Sequence, residues 1–300
     1  MDDENAIGPK RPEEFDTVRT DKPELVFNRY QLLNELGKGG TGVVWLARDL
    51  ELNSNVALKL LREDVTFEGD ALRELKGEVI LNRDLAHPHI VKTYNFETDG
   101  RKAAIAMEHV SGENLQSLKA KQPGKCFDVE DISRWMRMLC EAMDYAHRQH
   151  VVHRDIKPSN LMINRHGDLK VGDFGIGRTV AETVNRLTKH AAGTPPYMSP
   201  QQTMGEKAMP SDDIYSIGAT IYDLVTGLPP FFRGAIHEQA LAKVPPSMAQ
   251  RRSELGREGK PIPPQWEKTV AACLAKQPAA RPPTAKTLHE MLEGSGGLSV

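Results

Sequence analysis

Long apolar runs are missing from this chain of 300 residues. None approaches the ~20 residues that a membrane-spanning helix needs, so no membrane contact is expected within it. The opening stretch, MDDENAIGPKRPEEFD, is acidic and has no apolar h-region, so a secretory signal is not expected either. Cysteine is scarce. Cys126, Cys140 and Cys273 stand far apart, in no metal-ligand spacing, and read as small apolar core residues of a reducing compartment. An excess of one charge is also missing: 39 Lys and Arg face 41 Asp and Glu, for a net charge of −2. That balance gives nucleic acid or an anionic membrane no electrostatic hold as a main partner. Internal repeats and low-complexity tracts are absent too. What remains is a soluble, cytoplasmic chain long enough for one large domain or two lobes.

Residues 1–24 are rich in charge and proline and poor in apolar side chains, and read as a disordered leader. Strands are then predicted at Tyr30 to Leu36, Val43 to Ala47 and Val56 to Leu61, the last apolar enough to be buried on both faces. Leu72, Leu75, Val79 and Leu85 recur at helical spacing, which predicts a helix from Ala71 to Leu85. Strands return near Ile90 to Phe96 and Ala103 to Glu108. Beyond Gly112 the pattern is helical, at Ile132 to His150, Ile214 to Thr226, Thr269 to Leu274 and Thr284 to Leu292. The predicted order is a strand-rich part with one helix (25–110), a helix-rich part (111–293) and a flexible tail (294–300).

Three constellations carry chemistry. The first is Gly37-Lys38-Gly39-Gly40-Thr41-Gly42-Val43-Val44, between two strands. Glycines there let backbone N–H groups approach phosphates. Alone the pattern also fits a plain hairpin turn or a dinucleotide fingerprint. The latter needs a helix to follow, and the β-branched Val43 and Val44 predict a strand, so a lid over a nucleotide is favoured. The second is Lys59, at the end of a buried strand, where an ammonium needs a counter-charge. The third is His153-Arg154-Asp155-Ile156-Lys157-Pro158-Ser159-Asn160 followed by Asp173-Phe174-Gly175. It gathers a carboxylate, an ammonium, an amide and a second carboxylate, the set needed to hold a metal-bound triphosphate and take a proton from a hydroxyl.

Together these resemble the protein kinase family, over roughly Tyr30 to Leu292, and most of all the bacterial Hanks-type serine/threonine kinases. The resemblance implies an α+β, bilobal protein-kinase-like fold, with a β-rich N-lobe carrying one helix and a mostly helical C-lobe. It implies transfer of the γ-phosphoryl group of ATP to serine or threonine hydroxyls of protein substrates, with Mg²⁺, or Mn²⁺ in its place. Asp155 would orient the acceptor hydroxyl, Lys157 would stabilise charge on the γ-phosphate, and Thr194 would bridge the two. Asn160 and Asp173 would hold the metal. Leu36 to Val44 would cover the nucleotide, with Val44 and Ala57 as roof and Met162 as floor. Met107 would stand behind it, and Glu108, His109 and Val110 would form the hinge.

Lys59 would reach the α- and β-phosphates, paired with a glutamate of the following helix. Glu74 and Glu78 are both candidates, and counting back from His87-Pro88-His89-Ile90-Val91 selects Glu78. Arg154 would bind a phosphate on the segment 173–201. Thr188 is the first choice for that phosphate, with Thr183 and Thr179 as alternatives and Arg178 as a second fork. Autophosphorylation in trans, within a homodimer, would suit such a site.

Two residues depart from the pattern. Asn82 stands where the family has an apolar residue, and Gln201 replaces the glutamate expected to pair with Arg281. Asp213 matches the buried aspartate that braces the catalytic loop. The rival readings are an ATP-binding scaffold without catalysis and a phosphotransferase for small molecules. All four of Lys59, Asp155, Asn160 and Asp173 are present, against the first. The stretch Gly193 to Pro200 resembles a peptide-docking platform, against the second.

Overall fold

In the computed structural model the described residues are 24–40, 42–62, 69–100, 102–174 and 195–294. The leader, Thr41, most of the tail, and the segment holding Arg178, Thr179, Thr183, Thr188 and Thr194 lie outside them.

The first half builds one antiparallel sheet. Its strands are β1 (Leu25–Val26), β2 (Tyr30–Gly39), β3 (Gly42–Asp49), β4 (Ser54–Leu61), β5 (Thr93–Asp99) and β6 (Lys102–Glu108), in the order β1-β2-β3-β4-β6-β5. The expected strands are all present and somewhat longer, save that Ile90 only bridges to Val171, and the strand of that region starts at Thr93. β4 is central and its Val56, Ala57, Leu58 and Lys59 are buried, as its apolar run predicts. Helix α1 (Gly69–Arg83) sends Leu75 and Val79 into a cluster with Leu61, Ala103 and Ile105.

Gly42 is demanded by close packing. A Cβ there would stand 2.0 Å from the Leu60 carbonyl oxygen of the paired strand. At Gly37, Gly39 and Gly40 a Cβ would meet nothing within 4 Å. Packing therefore leaves those three glycines unexplained, and open space lies over them.

After β6 come β7 (Gly112–Asn114), α2 (Leu115–Ala120), α3 (Val129–Arg148), β8 (Leu161–Asn164) and β9 (Leu169–Val171). Strands β7, β8 and β9 form a second small sheet. The rest is α4 (Pro200–Thr203), α5 (Pro210–Thr226), α6 (Ile236–Ala242), α7 (Met248–Glu254), α8 (Pro264–Cys273) and α9 (Ala285–Leu292). Ile132, Met136, Leu139 and Met143 of α3, one helical stripe, are fully buried against α5 and α9. Each such side chain contributes about 1.5–3 kcal/mol by leaving water.

Helix α5 is buried on every side. Pro210 opens it, where the lost N–H costs nothing. Gly227 closes it in the left-handed region (φ 82°), its N–H bonding the Asp223 carbonyl at 2.7 Å. Three carboxylates ride on this helix without exposure. Asp212 accepts from the Ser199 hydroxyl at 2.6 Å. Asp213 accepts from the loop before β8, and Asp223 from Lys119 at 2.6 Å and the Tyr197 hydroxyl at 2.9 Å. An apolar helix could only hold the core together. These carboxylates also fix three separate segments in register with it.

Candidate active site

Strand pairing puts four expected residues on one face of the large sheet. Val44 lies directly across from Lys59, and Met107 directly across from Ala57. Ala57 and Lys59 are two apart on β4, so all four share a face. That face meets the turn after β9. The Lys59 ammonium, 4% exposed, stands 2.6 Å from Asp173 Oδ1. Crowding alone would raise the Asp173 carboxyl, but the Lys59 charge outweighs it and holds the group below the usual carboxylate range.

The expected pairing of Lys59 with Glu78 is not made. Glu78 gives its carboxylate to Arg154, at 2.8 Å from Nη1. The reason lies in where α1 rests. Its Glu78 turn faces the loop before β8, and the left-handed turn at Asp173 (φ 57°) brings a nearer carboxylate to Lys59. Glu74, the other candidate, lies on the same helix, its side chain outside the description.

The loop between α3 and β8 holds Asp155, Lys157 and Asn160 as one bonded group. The Lys157 ammonium lies 2.7 Å from Asp155 Oδ2. The Asn160 amide donates to the Asp155 carbonyl at 2.8 Å and to its carboxylate at 3.1 Å. Committing the nitrogen leaves Asn160 Oδ1, in a 3.5 Å contact with the Ser159 hydroxyl, as its acceptor face. An amide oxygen and a carboxylate, Asn160 and Asp173, are hard donors that fit a divalent cation sharing its remaining positions with phosphate oxygens and water. Among the described residues no group of three or more His, Cys, Asp or Glu could hold a metal by itself.

The loop's shape is imposed from below. Asp213, fully buried, accepts from the N–H groups of His153 and Arg154 at 2.8 Å each and faces His147 Nε2 at 2.8 Å. Burial would raise its carboxyl. The His147 hydrogen bond and the two imidazoles overcome that and set it below its ordinary value. Arg154 sits at φ 70°, a conformation a branched network of bonds must hold. Its carbonyl accepts from Gln202 Nε2 at 2.9 Å. His153 packs as expected, its ring 4.5 Å from Phe174 and its Nε2 2.8 Å from the Gly172 carbonyl.

At the expected hinge, Glu108 is already engaged. The Glu108 N–H is taken by the Lys92 carbonyl at 2.8 Å, and its carboxylate by Lys170 at 2.8 Å. Met162 of β8 is half-buried opposite Lys170. Leu36 is exposed at the edge of the open glycine turn. The Gln201–Arg281 clamp forms without the charge, at 2.6 Å between Oε1 and Nη2.

Residue patterns missed three participants. His147 sits six residues before His153, one face of α3 away from notice. Gln202 was hidden beside the more conspicuous Gln201. Asn82 departs from the family pattern, and its amide donates to the Phe174 carbonyl at 2.8 Å, both groups buried.

The glycine turn, the buried lysine and the two loops that each carry an aspartate are the arrangement of a protein kinase domain. Residues 30–292 match the family described as the protein kinase domain, and the chain belongs to that family. It is 34% identical over 280 residues to the serine/threonine-protein kinase PknB of Mycolicibacterium smegmatis, covering 89% of this chain and 43% of that protein. It is 31% identical over 265 residues to the serine/threonine-protein kinase PrkC of Bacillus subtilis, covering 88% and 40%. The chain thus spans about two-fifths of the length of these curated relatives. The crystal structure of the Mycobacterium tuberculosis PknI kinase domain shares the fold, with a TM-score of 0.71 and 22% identity over 91% of this chain and 98% of that one.

Proposed function

We propose that this domain transfers the γ-phosphoryl group of ATP to serine or threonine hydroxyls of proteins, working in the cytoplasm. The observation that carries the reading is the bonded group of Asp155, Lys157 and Asn160 beside the Lys59–Asp173 pair. Asp155 orients the acceptor hydroxyl and takes its proton. Lys157, already at that carboxylate, neutralises charge that builds on the transferred group. Asn160 and Asp173 are the residues that hold Mg²⁺ or Mn²⁺, which supplies further neutralisation of the phosphates. The open glycine turn at Gly37, Gly39 and Gly40 admits the phosphates under backbone N–H groups. Val44, Ala57, Met107 and Met162 bound the base, with Val110 and the Glu108 carbonyl at its edge. Thr194 lies outside the described residues, and the family pattern would have its hydroxyl bridge Asp155 and Lys157.

Two pairs must change partners for this work. Lys59 has to leave Asp173 for the phosphates, and Glu78 has to leave Arg154 to replace it. A phosphate at Thr188 would draw Arg154 toward itself and release Glu78. Among the described residues Arg154 Nε has no hydrogen-bond acceptor, which supports its having a donor to spare. Trans-autophosphorylation within a homodimer would supply that phosphate.

The test uses wild type and Asp155→Asn, each incubated with Mg-ATP and a generic basic protein, followed by phosphosite mass spectrometry. Phosphoserine or phosphothreonine made by the wild type alone is expected. ATP binding with no transfer by either protein would overturn the reading in favour of a scaffold.

A further inference from the structure

Helix α1 touches the catalytic loops at two places one turn apart. Glu78 holds Arg154, the neighbour of Asp155. Asn82 holds the main-chain carbonyl of Phe174, the neighbour of Asp173. Residues four apart lie on one face of a helix, so a single face carries both tethers. Asn82 is only 5% exposed and bonds a residue ninety-two positions away. Asn82 also shares the wall of a cavity of about 10 Å³ with Asp173, Phe174 and Thr93.

A buried amide among Leu85, Ile90 and Met107 is costly unless it does something that an apolar residue cannot. Here it satisfies a buried carbonyl at the point where the chain leaves the left-handed turn of Asp173. Fixing the peptide after Phe174 limits the rotation of the turn, and so the direction of the Asp173 carboxylate. The ring of Phe174 is fixed separately, by His153. Side chain and main chain of this one residue thus have different anchors.

We propose that Asn82 is a positioning residue for the metal site: through the Phe174 carbonyl it sets the aim of Asp173 at the divalent cation. The inference rests on the phosphotransferase reading for its role in turnover, but metal-dependent nucleotide binding tests it apart from turnover. Groups that orient a ligand from behind are worth 10–100-fold in metal affinity.

The experiment compares wild type with Asn82→Leu, which cannot donate, and Asn82→Gln, which can. The affinity for a non-hydrolysable ATP analogue is measured calorimetrically with Mn²⁺ and with EDTA, and the Mg²⁺ dependence of phosphotransfer is measured alongside. Asn82→Leu should weaken metal-supported binding tenfold or more. Its binding in EDTA should change less than twofold, and Asn82→Gln should recover part of the loss. A folded Asn82→Leu protein with wild-type metal dependence in both assays overturns the proposal. So does equal weakening with and without metal, which marks a purely structural residue, and so does a gain in activity, which marks a latch on a resting state. Were wild type to transfer no phosphate at all, the binding arm would still decide the point, and only the functional reading would have failed.

Discussion

Replacing Asp213 tests how the catalytic loop is held. Its carboxylate accepts three hydrogen bonds of 2.8 Å, from two loop N–H groups and His147, at a site with no exposure. Asp213→Ala orphans both N–H groups and the imidazole. Each orphaned donor costs about 1–3 kcal/mol, so the loss from three should be roughly 3–9 kcal/mol, a large part of the ~5–15 kcal/mol that holds a typical domain. Asp213→Asn keeps the volume but offers a donor where two donors already point, and should lose about 2–4 kcal/mol by the same accounting. Urea unfolding followed by circular dichroism reads the difference, and phosphotransfer at saturating ATP should fall with it because Asp155 is carried on this loop. The carboxyl is set below its ordinary value in the folded state. Its contribution is therefore complete at neutral pH and is lost as pH falls below about 4, through the folded value. The gap between wild type and Asp213→Asn should close in acid. A gap below 1 kcal/mol at pH 7, or one that widens in acid, would refute this account of the loop.

Other outcomes follow from single contacts. Lys59→Met should lower kcat by about 10²–10³-fold in steady-state assays, the usual cost of one electrostatic stabiliser, and a loss under tenfold would remove Lys59 from the chemistry. Gly42→Ala forces a Cβ onto the Leu60 carbonyl and should cost about 1–3 kcal/mol in thermal unfolding. Gly40→Ala meets no protein atom, so it should leave Tm unchanged and raise KM for ATP instead. Lys276 packs its ammonium 4.9 Å from the Phe231 ring with no hydrogen-bond acceptor among the described residues. Burial, then Arg281, pulls its pKa down to about 8 from 10.5. The penalty is full below about pH 8 and fades toward 10.5, so Lys276→Met should raise Tm at pH 7 and change it much less at pH 10.

The elements legible in the sequence were those with a long period. Helices α3 and α5 and strands β2 to β4 bury enough apolar side chains in register to declare themselves. The strands of the small sheet have three or four residues each, too few to show a period; β9 is legible only as the short run Asp168 to Val171 ahead of Asp173, and β7 and β8 are not legible at all. Motif residues of the two loops came together as their spacing suggested. The partner of Glu78 did not, because a sequence shows that a carboxylate needs a cation but not which one the helix will face. Asn82 was harder still. Its acceptor is a main-chain carbonyl, which every residue has, so no side-chain pattern could point to it.

The ion pairs of the site fall into two kinds, and burial separates them. Asp213 and Asp223 are fully buried, and moving a partner from either strands a charge in a low-dielectric interior at about 3–5 kcal/mol. Arg154 and Asp173 are each 33% exposed, and Glu78 is 18% exposed. Water reaches Arg154 and Asp173 during an exchange and lowers the cost on their side, whereas the Lys59 ammonium, 4% exposed, must keep a counter-charge throughout. The helical part can therefore hold Asp155 in one place while α1 trades Arg154 for Lys59. A shift of α1 that brought Glu78 to Lys59 would carry Asn82 with it and load its bond to the Phe174 carbonyl. A switch built this way would act on the metal site and the phosphate site together, since one helix face carries both connections.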